Sequence, residues 1–360
     1  MSWSGSADDL TDRIYEAAVL PDMWPGVLGD ICAVATAREG VLISLRDDTA
    51  KWIASSPFMD GLTREYYTYE GAQERLMRLL AVRRAGFVTD EDVFSPAEIA
   101  ALPVFADFLM PRGYGRGVAT VVNIPDGSQI VFHAEGDHRR GPLPSATIAS
   151  LDALRPHLAR AALLSTRLDF ERARTAVETL AAIGMPACAV ARRGTVIVAN
   201  RLFDQSADYW TTRGGDEIAL ADRRSNEGLR EALARLETMA AVLSLPMVVT
   251  PEVSPAVLHV IPVRRAASDL FSRAMAILVL SVAGARSHGP ASLIQSLFDL
   301  TPAEANVATR IADGRTAEEI AQADQKSVDT VRNQLKAVLQ KTGCHRQSDL
   351  VRLLGQLVIG

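Results

Sequence analysis

Hydrophobic spacing changes style twice along this chain, and each change marks a new structural unit. Helical periods at about 8–20 and 24–36 lead into short apolar runs at 40–46 and 51–55 that read as strands. Helical spacing returns at 62–82 and 95–110, and two more strands are expected at 116–124 and 128–134. A long helix begins near 145, where Pro156 should kink it. From Met185 to Ala285 the order becomes strand, strand, helices and three strands. Cys188–Ala191 and Val196–Ala199 form a hairpin through Arg193-Gly194, and Asn200 caps a helix beginning Arg201-Leu202-Phe203. Residues 225–240 are helical, with strands expected at about 245–250, 256–264 and 274–282. From residue 299 only the helical period remains. The pattern predicts a multidomain α+β protein, two α/β units followed by an all-α one. Leu151, Leu154, Leu158, Ala161, Leu164 and Leu168 form a stripe at steps of three and four that continues more weakly through Ala173, Val177 and Leu180. Closing the first unit is its simplest use, and pairing with its twin in a homodimer is the other.

The all-α segment spells out its helix starts. Thr301-Pro302-Ala303-Glu304 and Thr316-Ala317-Glu318-Glu319 are capping boxes, the first with proline at the first helical position and the second just after Gly314. Ser327 opens a third helix after a polar turn at Asp324, Gln325 and Lys326. Short helix, tight turn and longer helix make a helix-turn-helix, whose second helix fits a DNA major groove. In that helix Val331, Leu335, Val338 and Leu339 form a core-facing stripe. Asp329, Arg332, Asn333, Lys336 and Gln340 take the opposite side. These are the types that read base edges and phosphates: Arg toward guanine, Asn toward adenine, Lys as a point charge. An isolated solvated helix has a similar face; three capped helices at these spacings favour DNA.

Glu319-Ile320-Ala321, Ser327, Thr330-Val331-Arg332-Asn333, Leu335-Lys336 and Lys341-Thr342-Gly343 resemble the C-terminal domain of LuxR-type regulators. The resemblance covers about the last 60 residues and implies a four-helix DNA-binding domain that works as a dimer. It places Thr316, Ser327 and Lys341 against phosphate and turns Asp329, Arg332, Asn333 and Lys336 toward the groove. With Lys326, Thr330, Gln340 and Arg346, these complete the expected DNA-contacting set. One departure stands out: the family's turn is usually Leu-Gly-Ile, so two apolar anchors are replaced here by charges. Gln334 also stands where many members carry His.

Two further resemblances concern the preceding units. The strand and helix order after Met185, with VIVANRLF (196–203), is similar to a PAS-type sensor. Arg201 after Asn200 removes the photoreactive Asn-Cys pair of flavin-binding relatives, and no histidine falls on 200–240 to ligate haem. No cofactor is therefore expected, and Asn200 is read as a helix cap. Residues 8–168 resemble the GAF-like or autoinducer-binding α-β-α sandwich found ahead of LuxR-type domains. Aromatic residues concentrate there, and Trp52, Tyr66, Tyr67, Tyr69, Phe105, Phe108 and Tyr114 are the candidates for the wall of a pocket for a small organic effector. REYYTYE (64–70) resembles the tyrosine-rich stretch of acyl-homoserine-lactone receptors. Glu70-Gly71-Ala72 replaces the Asp-Pro that usually follows, so a lactone of that class is not the expected effector. The glycines of RGYGRG (112–117) lead into a strand and read as a turn, not a phosphate loop.

Charge refines this picture. The net charge is −5, but residues 326–352 carry +4 and the remainder −9, which suits a small DNA-contacting surface on an acidic body. Three scattered cysteines offer neither disulfide nor zinc spacing. The chain has only four lysines, none in a P-loop or kinase motif, and no metal site or nucleophile–base pair is apparent, so no enzyme is expected. Asp8, Asp9 and Asp12 break any signal peptide, and the longest apolar run, Met275–Ala285, falls short of the about 20 residues a membrane span needs. The expectation is a cytoplasmic, homodimeric transcription regulator. Its domains would be a sensor at 1–168, a PAS-like domain at 169–286, a linker at 287–298 that overlaps the hinge-like GARSHGPAS stretch (284–292), and the helix-turn-helix domain at 299–360. A second reading is a ligand-responsive protein-interaction module whose helix-turn-helix no longer binds DNA. The charged turn motivates it, and steep salt dependence of DNA binding would argue against it.

Overall fold

A computed structural model describes residues 7–46, 49–69, 71–236, 241–247, 250, 253–263, 270–283 and 291–356. Asp47, Asp48, Glu70 and the hinge residues 284–290 lie outside the described residues. Contacts gather the chain into two compact units, Met1–Phe170 with Arg264–Ser272, and Glu171–Val263 with Arg273–Gly360.

In the first unit, α1 (Ala7–Val19) and α2 (Trp24–Val34) precede β1 (Glu39–Arg46) and β2 (Thr49–Ala54). Next come α3 (Pro57–Thr68), α4 (Ala72–Ala81), β3 (Val88–Thr89), α5 (Asp90–Val93) and α6 (Pro96–Ala101). A wide π-type turn at Val104–Leu109 leads to β4 (Arg116–Asn123), β5 (Gln129–Gly136) and the long α7 (Ser145–Ala182). The strands form one antiparallel sheet in the order β2-β1-β5-β4-β3. Strand alternation gives this sheet two buried faces. Leu42, Val118, Ile130 and Phe132 pack with Trp24, Leu28, Leu151 and Leu158, from α2 and α7. Val41, Ile43, Ala119 and Val131 pack with Met59, Leu62, Phe105 and Phe108, from α3 and the π-type turn.

Several expectations shift for local reasons. The helix expected over 62–82 is two helices, because Gly71 takes a left-handed φ of +84° between them. The helix over 95–110 stops at Ala101, because Leu102 precedes Pro103 and is extended. Pro156 lies inside α7 without ending it. Leu151, Leu158 and Ala161 are fully buried, closing the first unit, but Leu164 is 37 % exposed as the buried edge moves to Ser165 and Asp169.

In the second unit, β6 (Ala187–Val190), β7 (Val196–Ala199), β10 (Leu243–Met247), β11 (Ala256–Pro262) and β12 (Ala276–Val282) form an antiparallel sheet in the order β10-β11-β12-β6-β7. Counted within each sheet, both have the same arrangement: the opening strand lies between its hairpin partner and the closing strand. Between α8 (Arg201–Asp204) and α9 (Arg223–Ala234) lies a hairpin of β8 (Trp210–Arg213) and β9 (Glu217–Leu220), absent from the expected order of helices there. Its signal is Gly214-Gly215 between two β-prone runs.

Asn200 is more than a cap. It is fully buried, its Oδ1 accepts from Phe203 N at 3.0 Å and Ala187 N at 3.2 Å, and its Nδ2 donates to Val177 O and Met185 O. One side chain thereby ties the end of α7, the start of β6 and α8 together, leaving it nothing to offer a ligand.

Five helices follow: α10 (Ala291–Phe298), α11 (Pro302–Ala312), α12 (Ala317–Ala323), α13 (Val328–Thr342) and α14 (Gln347–Gln356). The stretch read as linker thus contains a helix, and its Ile294 joins the core of Val307, Ile311, Ile320, Val331, Val338 and Leu350.

Candidate functional site

The helix starts lie where the capping sequences put them. Thr301, Thr316 and Ser327 each accept a hydrogen bond from the backbone three residues on, and Glu304 and Glu319 return the bond in the two capping boxes. With those ends fixed, α13 buries Val331 and Val338 completely and leans Val328, Leu335 and Leu339 on the same core. Its other face has to point outward. Thr316, Lys326, Ser327, Asp329, Thr330, Arg332, Asn333, Lys336, Gln340, Lys341 and Arg346 are all exposed. Asn333, Lys336 and Gln340 make no side-chain hydrogen bond or ion pair among the described residues.

The charged turn is a built one. Gln325 takes φ +54°, Lys326 N donates to Ala321 O at 2.9 Å, and Asp324 accepts ion pairs from Arg310 of α11 at 2.7 Å and from Lys326 at 3.3 Å. An ion pair to α11 does what an apolar anchor does elsewhere, and Val328 packs beneath the turn. Besides Lys326, two more of the expected DNA-contacting cations already have partners. Arg332 Nη2 lies 2.7 Å from Glu318 Oε1 across the turn, and Lys341 Nζ donates to Glu304 at 2.8 Å and Asp299 O at 3.0 Å. Glu318 is held below the usual carboxylate range by its own backbone N–H and by Arg332, and Glu304 by Lys341 and Thr301.

A second feature lies in the first unit, between the sheet and α3 and α4. A cavity of about 70 Å³ is lined by Val41, Ile43, Met59, Leu62, Leu79, Leu109, Ala119 and Val131, with Tyr66 and Tyr67 at its side. The aromatic candidates gather in this one core but divide in role. Tyr66 and Tyr67 line the cavity. Trp52 stacks on Tyr67 with ring centroids 5.3 Å apart and anchors its indole N–H on Asp60. Tyr69, Phe105, Phe108 and Tyr114 stand behind the wall: Phe108 packs on Tyr69, Phe105 lies under Arg75, and Tyr114 under Arg38.

What the sequence reading missed is the polar end of the cavity. Arg75, an α4 residue on the otherwise apolar side of that helix, is buried among two carboxylates. Its Nε and Nη2 reach Asp90 at 2.9 and 2.7 Å, and its Nη1 reaches Glu135 at 2.9 Å. His133 Nε2 lies 2.9 Å from Glu135, Gly117 N donates to Asp90 at 2.7 Å, and Gly115 N to Glu135 at 3.2 Å. Burial pushes the Glu135 carboxyl up, but Arg75 and the His133 hydrogen bond outweigh it and hold it down to about 2. Burial likewise raises the Tyr66 and Tyr67 hydroxyls above their ordinary value, so both stay neutral. The RGYGRG glycines serve this clamp. Gly113 and Gly115 adopt positive φ, while a Cβ on Gly117 would collide with the Arg75 guanidinium and come within 2.9 Å of Asp90. An arginine on a helix's apolar stripe was the readable signal.

Elsewhere, Cys32 and Cys188 are buried, and burial pushes the Cys32 thiol up to about 12 and raises that of Cys188, so neither is an activated nucleophile. Ser244, His259 and Ser281 meet across three strands, His259 bonding both hydroxyls at 2.9 and 3.1 Å. Among the described residues, no cluster of His, Cys, Asp and Glu is placed to hold a metal, and no helix is long and apolar enough to cross a membrane.

No family model and no curated protein matches the chain. Solved structures do. The N-acylhomoserine lactone dependent LuxR family transcription factor CepR2 from Burkholderia cenocepacia is 16 % identical over 45 % of this chain and 97 % of its own, with a TM-score of 0.35. SdiA from Escherichia coli is 12 % identical over 99 % of this chain and 93 % of its own, with a TM-score of 0.30. The phage VqmA–DPO complex is 16 % identical over 51 % of this chain and 88 % of its own, with a TM-score of 0.25. All three overlays are loose, and this chain's own side chains have to carry the functional reading.

Proposed function

We propose that the chain is a transcriptional regulator that binds double-stranded DNA through α12 and α13, under the control of a small organic effector held in the cavity of the first unit. The observation that carries this reading is the outward face of α13. Arginine, asparagine and lysine at positions 332, 333 and 336 share one exposed side of a helix whose opposite side is locked into a core by three capped helix starts. Residues 1–168 are read as a GAF-like or autoinducer-binding-like sensor and 169–286 as a PAS-like domain, supported by the strand order common to the two sheets. Residues 299–360 are read as a LuxR-type helix-turn-helix domain, with 287–298 leading into it. A homodimer in the cytoplasm would bring two copies of α13 to half-sites about one helical turn apart. The cavity favours the first unit as the effector's place, and the ion pair anchoring Asp324 supports an intact turn over a degenerate one.

Selection from a random duplex library, followed by mobility-shift titration of the enriched sequence, tests the reading. A two-fold-related site is expected, with Arg332→Ala costing about 1–3 kcal/mol and relaxing base preference at one position per half-site. Recovery of no preferred sequence, with weak and sequence-blind binding, would overturn it in favour of a protein-interaction module.

A further inference from the structure

The charged groups lining the cavity are already committed to one another. Arg75 directs Nε, Nη1 and Nη2 into Asp90 and Glu135, and both carboxylates also hold backbone N–H groups. One guanidinium against two carboxylates leaves the polar end at −1 with His133 neutral and at zero with His133 protonated. It is never positive. The uncommitted groups are mostly acceptors. The Thr63 hydroxyl donates to Met59 O and keeps only lone pairs, and His133 presents Nδ1 once Nε2 faces Glu135. The Tyr67 hydroxyl, held neutral by burial, makes no hydrogen bond among the described residues. About 70 Å³ is room for only a few waters, about half the volume of a cavity that admits benzene, so one ring is the most it takes, and only as the wall gives way.

We infer that the cavity takes a compact, ring-sized molecule whose polar head donates hydrogen bonds and carries no negative charge, an amine or alcohol and not a carboxylate. This rests on the effector reading of the cavity. A carboxylate would lose its hydration, find no uncommitted cation, and meet Asp90 and Glu135 at close range. An ammonium or hydroxyl head instead finds the lone pairs of His133, Thr63 and Tyr67, with aromatic faces beside it.

The test is calorimetric titration and thermal shift of the full-length protein with three probes of one shape: benzylamine, benzyl alcohol and benzoate. Benzylamine, benzyl alcohol or both are expected to bind at least about tenfold more tightly than benzoate and to raise the melting temperature. Tyr67→Phe, which keeps the ring, should weaken the favoured probe, and Ala119→Leu, which fills the cavity, should remove its binding. Benzoate binding as well as the others, and lost in Ala119→Leu, would overturn the charge inference while leaving the effector reading standing. No shift with any probe at millimolar concentration, or binding unaffected by both variants, would overturn the cavity reading and this inference with it.

Discussion

Single residues carry two of this chain's structural commitments. Asn200 satisfies four backbone groups from three elements, so Asn200→Ala leaves buried donors and acceptors unpaired and should cost about 2–4 kcal/mol in urea unfolding. Asn200→Asp should cost more, because it aims a carboxylate at the Val177 and Met185 carbonyl oxygens; equal stability of the two variants would refute that account. The Arg75 clamp makes a pH prediction. Glu135 titrates at about 2 in the folded chain, below its ordinary 4.5, so its contribution is complete above pH 4.5 and is lost as pH falls from there toward 2. Glu135→Gln should flatten the stability profile in that window, while Arg75→Met, which strands two buried carboxylates, should cost about 3–5 kcal/mol at neutral pH. An unchanged acid limb in Glu135→Gln would place the proton uptake elsewhere. Asn200 was legible as a cap because a cap is local. The clamp was not, because Asp90 and Glu135 lie 15 and 60 residues from Arg75, and it takes the β3–β4 and β4–β5 pairings to bring them together.

At the scale of elements, what could be read was what neighbours in sequence decide. The starts at Thr301, Thr316 and Ser327 follow from side chains three residues from their targets, and the amphipathic stripe of α13 from its own period. Helix breaks at Gly71 and Pro103 were within reach by the same rules, but continuous apolar spacing on both sides masked them. The ion pair between α12 and α13 was beyond reach, since Glu318 and Arg332 meet only across the turn. That pair has a consequence for binding. Both partners are more than half exposed, so the pair itself contributes at most about 1 kcal/mol, yet Glu318 places a negative charge where phosphates would approach. Glu318→Gln should therefore tighten operator binding by up to about fivefold at low salt, with base preference retained. If binding instead weakens and preference at the Arg332 position is lost, Glu318 serves to aim the guanidinium.

Across the whole molecule charge is divided, +4 over residues 326–352 against −9 elsewhere, so affinity for any polyanion has to come from a few named cations and not from a general basic surface. Lys326, Lys336, Lys341 and Arg346 on each protomer would give a dimer at most about eight phosphate contacts, and log affinity should fall against log salt with a slope of up to about −7. That is a loss of up to about four orders of magnitude between 50 and 200 mM. The four are not equivalent. Lys336 is exposed and unpaired among the described residues, so Lys336→Ala should reduce the slope by about two, one contact per protomer. Lys341 is bound to Glu304 and the Asp299 carbonyl, fastening the end of α13 to the start of α11. Reaching a phosphate would mean releasing Glu304, which restores a negative charge beside the duplex. Lys341→Ala should then lower thermal stability more than Lys336→Ala does, while changing the salt slope less. Equal slope changes from the two substitutions would show that Lys341 leaves Glu304 on binding, and the domain would then give up an internal tie each time it engages DNA.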